Sequence, residues 1–213
     1  RVAHLITEYG RPIYQDKLLP YGRLRESIRG MGRADIVITT KCPDDSKPLD
    51  YRLVSRNLEL FPYQKLFFSR YAYQNLVPLF PDAVRSVPFL DWMSENDTIL
   101  AVAGIGNPRP FIRYLKSFLP RVKVNIFPDH HNYTRKDIEL IKERYKAMKG
   151  ETRIIVTTEK DAVRLICNPY FPHELKAVTF YLPIKVEFIN RPNSEDFSLS
   201  LRKLIKDNDV RKA

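Results

Sequence analysis

Cysteine is nearly absent from this 213-residue chain: Cys42 and Cys167 stand far apart with no CxxC pattern. That leaves no disulfide framework and no zinc-site spacing, and a reducing cytosolic setting is expected. Long apolar runs are also missing. No stretch approaches the roughly 20 residues needed to span a bilayer, and the first ten residues, RVAHLITEYG, lack signal-peptide architecture. The expectation is a soluble chain, at most peripheral to a membrane. Neither an aromatic RNP-type signature nor zinc-finger spacing accompanies the basic residues, which argues against nucleic acid as the partner. No internal repeat or low-complexity segment interrupts the sequence.

Positive charge is plentiful. Lys and Arg number 36 against 25 Asp and Glu, a formal net charge of +11. Such a balance selects acidic company, namely nucleotides, anionic lipid or a phosphorylated substrate, without choosing among them. The length suits one large domain or a domain with an appendage. The opening at Arg1 reads like a strand already under way, so the expectation is a piece of a longer protein.

Five apolar, β-rich runs recur along the chain: ADIVITT (34–40), TILAVAGI (98–105), KVNIF (123–127), RIIVTT (153–158) and TFYLPI (179–184). They are continuously apolar instead of alternating, the mark of strands buried on both faces of a mostly parallel sheet. Between them lie helical patterns. NPRPFIRYLKSFL puts Phe111, Leu115 and Phe118 on one face, and TRKDIELIKERYKAM does the same with Ile138, Ile141 and Tyr145, with Thr134 and Asp137 as an N-cap signal. The pattern predicts an α/β fold, a mostly parallel sheet flanked by helices. The aromatic, proline-bounded stretch 63–81 breaks it and reads as a hairpin or a connector between lobes. The C-terminal SLSLRKLIKDNDVRKA reads as a short amphipathic helix with a frayed, charged end.

Ligands of open α/β sheets gather at the carboxyl ends of strands, and polar motifs stand there. After the run 98–105 comes GIGNPRPF, in which Gly104 and Gly106 permit a tight turn and Asn107, Pro108 and Pro110 suit a helix start. It is an incomplete dinucleotide fingerprint, with Arg109 where GxGxxG needs its third glycine. The turn can still offer amides to a phosphate, with Asn107 as a candidate nucleotide- or substrate-binding residue. After 123–127 comes PDHHNY, where Asp129 beside His130 suggests a carboxylate orienting an imidazole. Near the start, KLLPYGRLRES clusters Lys17, Arg23, Arg25 and Glu26, suited to a phosphate or a charged surface. In IIVTTEKDAVRL, Thr158 and Asp161 form a variant capping box, which makes Glu159 N1 and Lys160 N2. A cation at N2 opposes the helix dipole, so either flanking Glu159 and Asp161 or solvent compensates it, or it faces an anionic ligand.

Taken together, LLPYGRLRE (18–26), RADIVITTKCP (33–43), AVAGIGNPRPF (101–111), FPDHHNYTRKDI (127–138) and VTTEKDAVRL (156–165) resemble, in order, the motifs of the tetraacyldisaccharide 4'-kinase family of lipid A biosynthesis. The resemblance implies a P-loop kinase lobe followed by a second α/β lobe, joined by a connector with an extended two-stranded segment. On that reading residues 1–62 are the tail of the N-terminal kinase lobe, 63–81 the connector and 82–213 the C-terminal α/β lobe. GxxxxGK[ST] and a DDGFQH segment, which the family uses to hold phosphate and to supply the catalytic acid, are absent from the 213 residues. The implied cofactors, ATP and Mg2+, are then held mainly by the missing lobe, and the chain alone is expected to be inactive.

Carried over residue by residue, the resemblance makes His130 the histidine that closes onto the catalytic acid, with Asp129 orienting it. Arg25 and Glu26 match LRE near the nucleotide, and Glu159 and Lys160 match a TEKD turn facing a cleft. The family's usual PAGxLREP differs here at Tyr21 and Ser27. Implied partners are an acylated disaccharide 1-phosphate and an anionic membrane surface, with a place at the cytoplasmic side of the inner membrane of a Gram-negative bacterium. No metal ligand is assigned within the chain. The alternatives are a non-catalytic nucleotide- or anionic-lipid-binding module, or an unrelated Rossmann-like domain.

Overall fold

The structure, a computed structural model, describes residues 2–190 and 195–210. Its elements in chain order are β1 (His4–Glu8), β2 (Ile36–Thr40), α1 (Pro48–Leu58), β3 (Lys65–Tyr73), β4 (Val77–Pro78), β5 (Thr98–Ala103), α2 (Arg109–Phe118), β6 (Val122–Ile126), α3 (Arg135–Lys146), β7 (Arg153–Thr158), α4 (Glu159–Ile166), α5 (His173–Lys176), β8 (Thr179–Leu182), β9 (Ile184–Phe188) and α6 (Phe197–Val210). They form two compact units, residues 1–72 with 185–213, and residues 73–184.

The first unit is built on a sheet of order β1-β2-β3-β9, with β1, β2 and β3 parallel. Alternation along β2 sends Val37 to one face and Ile36 and Ile38 to the other. On the first face α1 packs Tyr51, Val54 and Leu58 against Val37 and Phe68. Proline at its N1 position and Asp50, which accepts from the Lys47 amide at 2.7 Å, start that helix. On the second face α6 lays Phe197, Leu201 and Leu204 over Ile36, Ile38 and Phe67. The frayed end expected beyond α6, residues 211–213, lies outside the described residues.

The second unit holds a five-stranded sheet of order β4-β8-β7-β5-β6, parallel except for β4, which runs antiparallel to β8. β5 is buried at every residue, as its unbroken apolar run predicts. Its Leu100 and Val102 meet Ile138, Ile141, Ala162 and Leu165 from α3 and α4 on one face. Ile99 and Ala101 meet Phe111 and Leu115 of α2 on the other. The α/β expectation holds: both sheets are mostly parallel and flanked by helices.

Connectivity places the site. From β5 the chain crosses through α2 to β6 on one side; from β7 it leaves through α4 to β8 on the other, under the opposite face. β5 and β7 are neighbours whose following helices diverge to opposite faces, a topological switch point that opens a crevice at their carboxyl ends.

The boundaries differ from those read in the sequence. Residues 65–73 are a strand of the first sheet, where a connector beginning at residue 63 was expected, because the partner of β3 is the distant β2 and no local signal names it. Residues 185–213 group with the first unit, not with 82–184.

Candidate active site

Three of the four motif-bearing segments lie around the switch point of the second unit. At the end of β7, Thr158 caps α4: its Oγ1 accepts from the Asp161 amide at 3.3 Å and donates to Asp161 Oδ2 at 2.7 Å. Asp161 is fully buried. Its Oδ2 also accepts from the Gly104 amide at 2.8 Å, and its Oδ1 accepts from Arg164 Nη1 at 3.1 Å. The helix cap therefore also ties the loop after β5 to α4. Gly104 fits closely there, since a Cβ would lie 3.0 Å from Asp161 Oδ1 and 3.2 Å from the Tyr133 hydroxyl. Burial, then the Asp161 charge, pushes the Tyr133 hydroxyl well above the usual phenol range, so it stays neutral.

At the end of β6 the backbone of His130 is left-handed, φ 58°. Its amide donates to the Gly104 carbonyl at 3.1 Å and to Asp129 Oδ1 at 3.0 Å. The His130 side chain is 75% exposed, and its Nδ1 sits 3.2 Å from Arg164 Nη2. Asp129 does not hold the ring as expected: its Oδ1 is 3.9 Å from Nε2 and is engaged with the backbone of His130 instead. The ring instead meets Arg164 of α4. Asp129 Oδ2 rests against Gly106, where a Cβ would stand 2.9 Å away.

The carboxylate–imidazole pair is formed by the other histidine. His131 Nε2 lies 2.9 Å from Asp137 Oδ2, and the ring stacks on Phe127 at 4.9 Å. Burial opposes ionisation of Asp137, but the Thr134 hydroxyl and amide and the His131 ring outweigh it and hold the carboxyl below its ordinary range.

Lys160 is exposed at the N-terminus of α4 and has no ion pair among the described residues. Neither flanking acid serves it: Asp161 is turned inward, and Glu159 Oε2 accepts from the Ile184 amide at 3.4 Å. Asn107 is exposed in the loop after β5, its Oδ1 accepting from the Arg109 amide at 3.3 Å. Five of the candidates, Asn107, Asp129, His130, Glu159 and Lys160, thus stand at the carboxyl ends of β5, β6 and β7. Arg25 and Glu26 lie in the first unit, on an exposed loop where Glu26 pairs with Arg33 at 2.6 Å and Arg25 makes no ion pair among the described residues. Sequence reasoning missed Arg164 and the inward role of Asp161. The i,i+3 spacing of an acid and an arginine was the one available signal.

No helix among the described residues is long and apolar enough to cross a membrane. Residues 2–205 match the family model described as Tetraacyldisaccharide-1-P 4'-kinase. Over 199 residues the chain is 46% identical to a tetraacyldisaccharide 4'-kinase of Bacteroides thetaiotaomicron, covering 90% of this chain and 51% of that protein. Proteins of the same name match at 44% identity in Bacteroides fragilis, with 90% and 51% covered, and at 34% in Flavobacterium johnsoniae, with 96% and 54% covered. The chain thus spans about half the length of the curated relatives it matches. With motifs in register along nearly all its length, it belongs to the tetraacyldisaccharide-1-P 4'-kinase family.

Proposed function

We propose that this chain is the C-terminal part of a kinase that uses ATP and Mg2+ to phosphorylate the 4'-hydroxyl of a tetraacyldisaccharide 1-phosphate in lipid A synthesis, and that it is inactive alone. The reaction would take place on the cytoplasmic side of the inner membrane of a Gram-negative bacterium, with the enzyme peripheral to it. Family membership supports the reading, and one observation carries it for this chain. An exposed imidazole is fixed by a guanidinium at the convergence of three strand-end loops, in a unit that also presents Lys160 without an ion pair.

Phosphoryl transfer depends mainly on positioning and on neutralising charge over the transferred group. His130 supplies a placed polar group, and Lys160 with the free amides of α4 supplies positive potential for an anion. GxxxxGK[ST] does not occur in the chain. Among the described residues no three His, Cys, Asp or Glu side chains converge, and the proposal leaves Mg2+ mainly to the other half of the enzyme. The proposed division of labour leaves ATP, metal and catalytic acid to the other half of the enzyme.

In the full-length kinase, His130→Ala is expected to lower kcat by about a hundredfold, in the range of one preorganised polar group lost from the reacting centre, with the ATP KM within about twofold. Unchanged turnover would remove His130 from the mechanism. The isolated chain is expected to give no ATP-dependent phosphorylation of the disaccharide.

The second reading, a docking module for anionic lipid without chemistry, draws on the net charge of +11, since each Lys or Arg near an acidic surface contributes about 1 kcal/mol. Salt-sensitive sedimentation of the chain with anionic vesicles, together with full turnover of the His130→Ala enzyme, would favour it.

A further inference from the structure

We infer that Arg164 is the positioning residue for His130, holding the ring as its Nε2–H tautomer so that it presents a hydrogen-bond donor, not a base, to the reacting centre. The inference rests on the kinase reading above.

A guanidinium carries only N–H groups and accepts nothing. The 3.2 Å contact between Arg164 Nη2 and His130 Nδ1 is therefore a hydrogen bond only if Nδ1 offers its lone pair. The single ring hydrogen of the neutral imidazole is then on Nε2. A hydrogen on Nδ1 would point at the guanidinium and destroy the contact. Nε2 itself has no hydrogen-bond partner among the described residues, Asp129 being 3.9 Å away, so its N–H is free to meet an acceptor outside the chain. A carboxylate or a phosphoryl oxygen has the right chemistry; a hydroxyl needing deprotonation does not.

The clamp is anchored from below. Arg164 Nη1 donates to Asp161 Oδ1 at 3.1 Å, and Asp161 accepts in turn from Gly104 N and Thr158 Oγ1. Asp161 is fully buried. The relay links the ends of β7 and β5 to the loop after β6, where the His130 amide also meets the Gly104 carbonyl. No aromatic ring among the described residues stacks on His130, in contrast to His131, which packs on Phe127. With a side chain 75% exposed, His130 owes its ring orientation to Arg164.

Arg164→Lys separates this role from mere support of Asp161. The lysine keeps a cation beside the carboxylate, but a single ammonium does not reproduce the fork that reaches Asp161 and Nδ1 together. In the full-length kinase we expect Arg164→Lys to retain its melting temperature and ATP KM, and to lose about tenfold in kcat, the worth of one charge-assisted hydrogen bond. The double variant with His130→Ala should turn over no more slowly than His130→Ala alone. Equal losses from Arg164→Lys in both backgrounds would overturn the proposal while leaving the kinase reading intact; a fully active His130→Ala enzyme would sink the reading of His130 itself. The tautomer is read without activity, by 15N NMR of labelled histidine in the full-length protein, with His130→Ala assigning the signal. Wild type should show one tautomer with Nδ1 unprotonated, and Arg164→Lys the mixture of free histidine. A hydrogen on Nδ1 in wild type would overturn the clamp.

Discussion

Removing the Asp161 carboxylate should be among the most damaging single changes in the second unit. Asp161→Ala deletes the acceptor of three hydrogen bonds, from Gly104 N at 2.8 Å, Thr158 Oγ1 at 2.7 Å and Arg164 Nη1 at 3.1 Å. The residue is fully buried, so water does not replace it readily. Hydrogen bonds to a charged group are worth about 1.5 to 3 kcal/mol each, and an orphaned buried amide such as Gly104 N costs about 1 to 3 kcal/mol. The Arg164 side chain is a quarter exposed, so that bond belongs at the bottom of the range. Thr158 can redirect its hydroxyl. The expected loss is about 4 kcal/mol. Asp161→Asn keeps the volume and, at the Oδ2 position, one oxygen for both Gly104 and Thr158, while its amide nitrogen accepts nothing from Arg164; about 2 kcal/mol is expected. Urea unfolding followed by far-UV circular dichroism is the assay, because Trp92, the chain's one tryptophan, is already 81% exposed in the fold. A loss below about 1 kcal/mol for the alanine variant, or equal losses for both, would refute the claim that directed hydrogen bonds to the carboxylate organise the loop.

Gly104→Ala brings a methyl group to 3.0 Å from Asp161 Oδ1, 3.2 Å from the Tyr133 hydroxyl and 3.3 Å from His131 Cβ. Its cost of about 1 to 3 kcal/mol from overpacking is checked by the same unfolding curve. Asp97 is buried, which raises its pKa, but the Ser94 and Thr152 amides at 2.7 and 2.8 Å outweigh burial and hold the carboxyl below its ordinary range. A depressed folded pKa gives stability that is present above the unfolded value, about 3.9, and is lost as pH falls through the folded one. Asp97→Asn should therefore lose about 1 kcal/mol at pH 7, and melting curves of variant and wild type should begin to approach each other only as pH falls below about 4.

The central strands and their helices were legible because burial on both faces writes an unmistakable run: 153–158 became β7 without adjustment, and 98–105 shortened by two residues to β5. The cap at Thr158 was legible because capping is local chemistry. What escaped was set by distant partners. β3 reads as a connector because its aromatic, proline-bounded stretch fits a hairpin as well as a parallel neighbour 29 residues earlier, Ile36 against Lys65. His130 was matched to the wrong partner for the same reason. Sequence adjacency suggests Asp129, whereas the fold brings in Arg164 from α4, 34 residues away. Asp137, visible only as a cap, doubles as the partner of His131.

Lys160 shows how far the local rule reaches. An N2 cation is opposed by the helix dipole by several tenths of a kcal/mol, and flanking acids were the ordinary remedy. Here the acids are committed elsewhere, Asp161 to Gly104, Thr158 and Arg164, and Glu159 to the Ile184 amide. With the acids committed, what faces the exposed charge is either solvent or a ligand that brings a counter-charge, and the proposed anion-facing role makes a two-sided prediction. Lys160→Ala should raise the melting temperature slightly, by a few tenths of a kcal/mol of relieved dipole repulsion. In the full-length kinase it should also raise the KM for ATP or for the disaccharide phosphate by about tenfold, one lost charge-assisted contact. The stability gain alone, with both KM values unchanged, would reduce Lys160 to a solvated surface residue. A loss of stability would show instead that the lysine has a partner within the fold, against the geometry of α4.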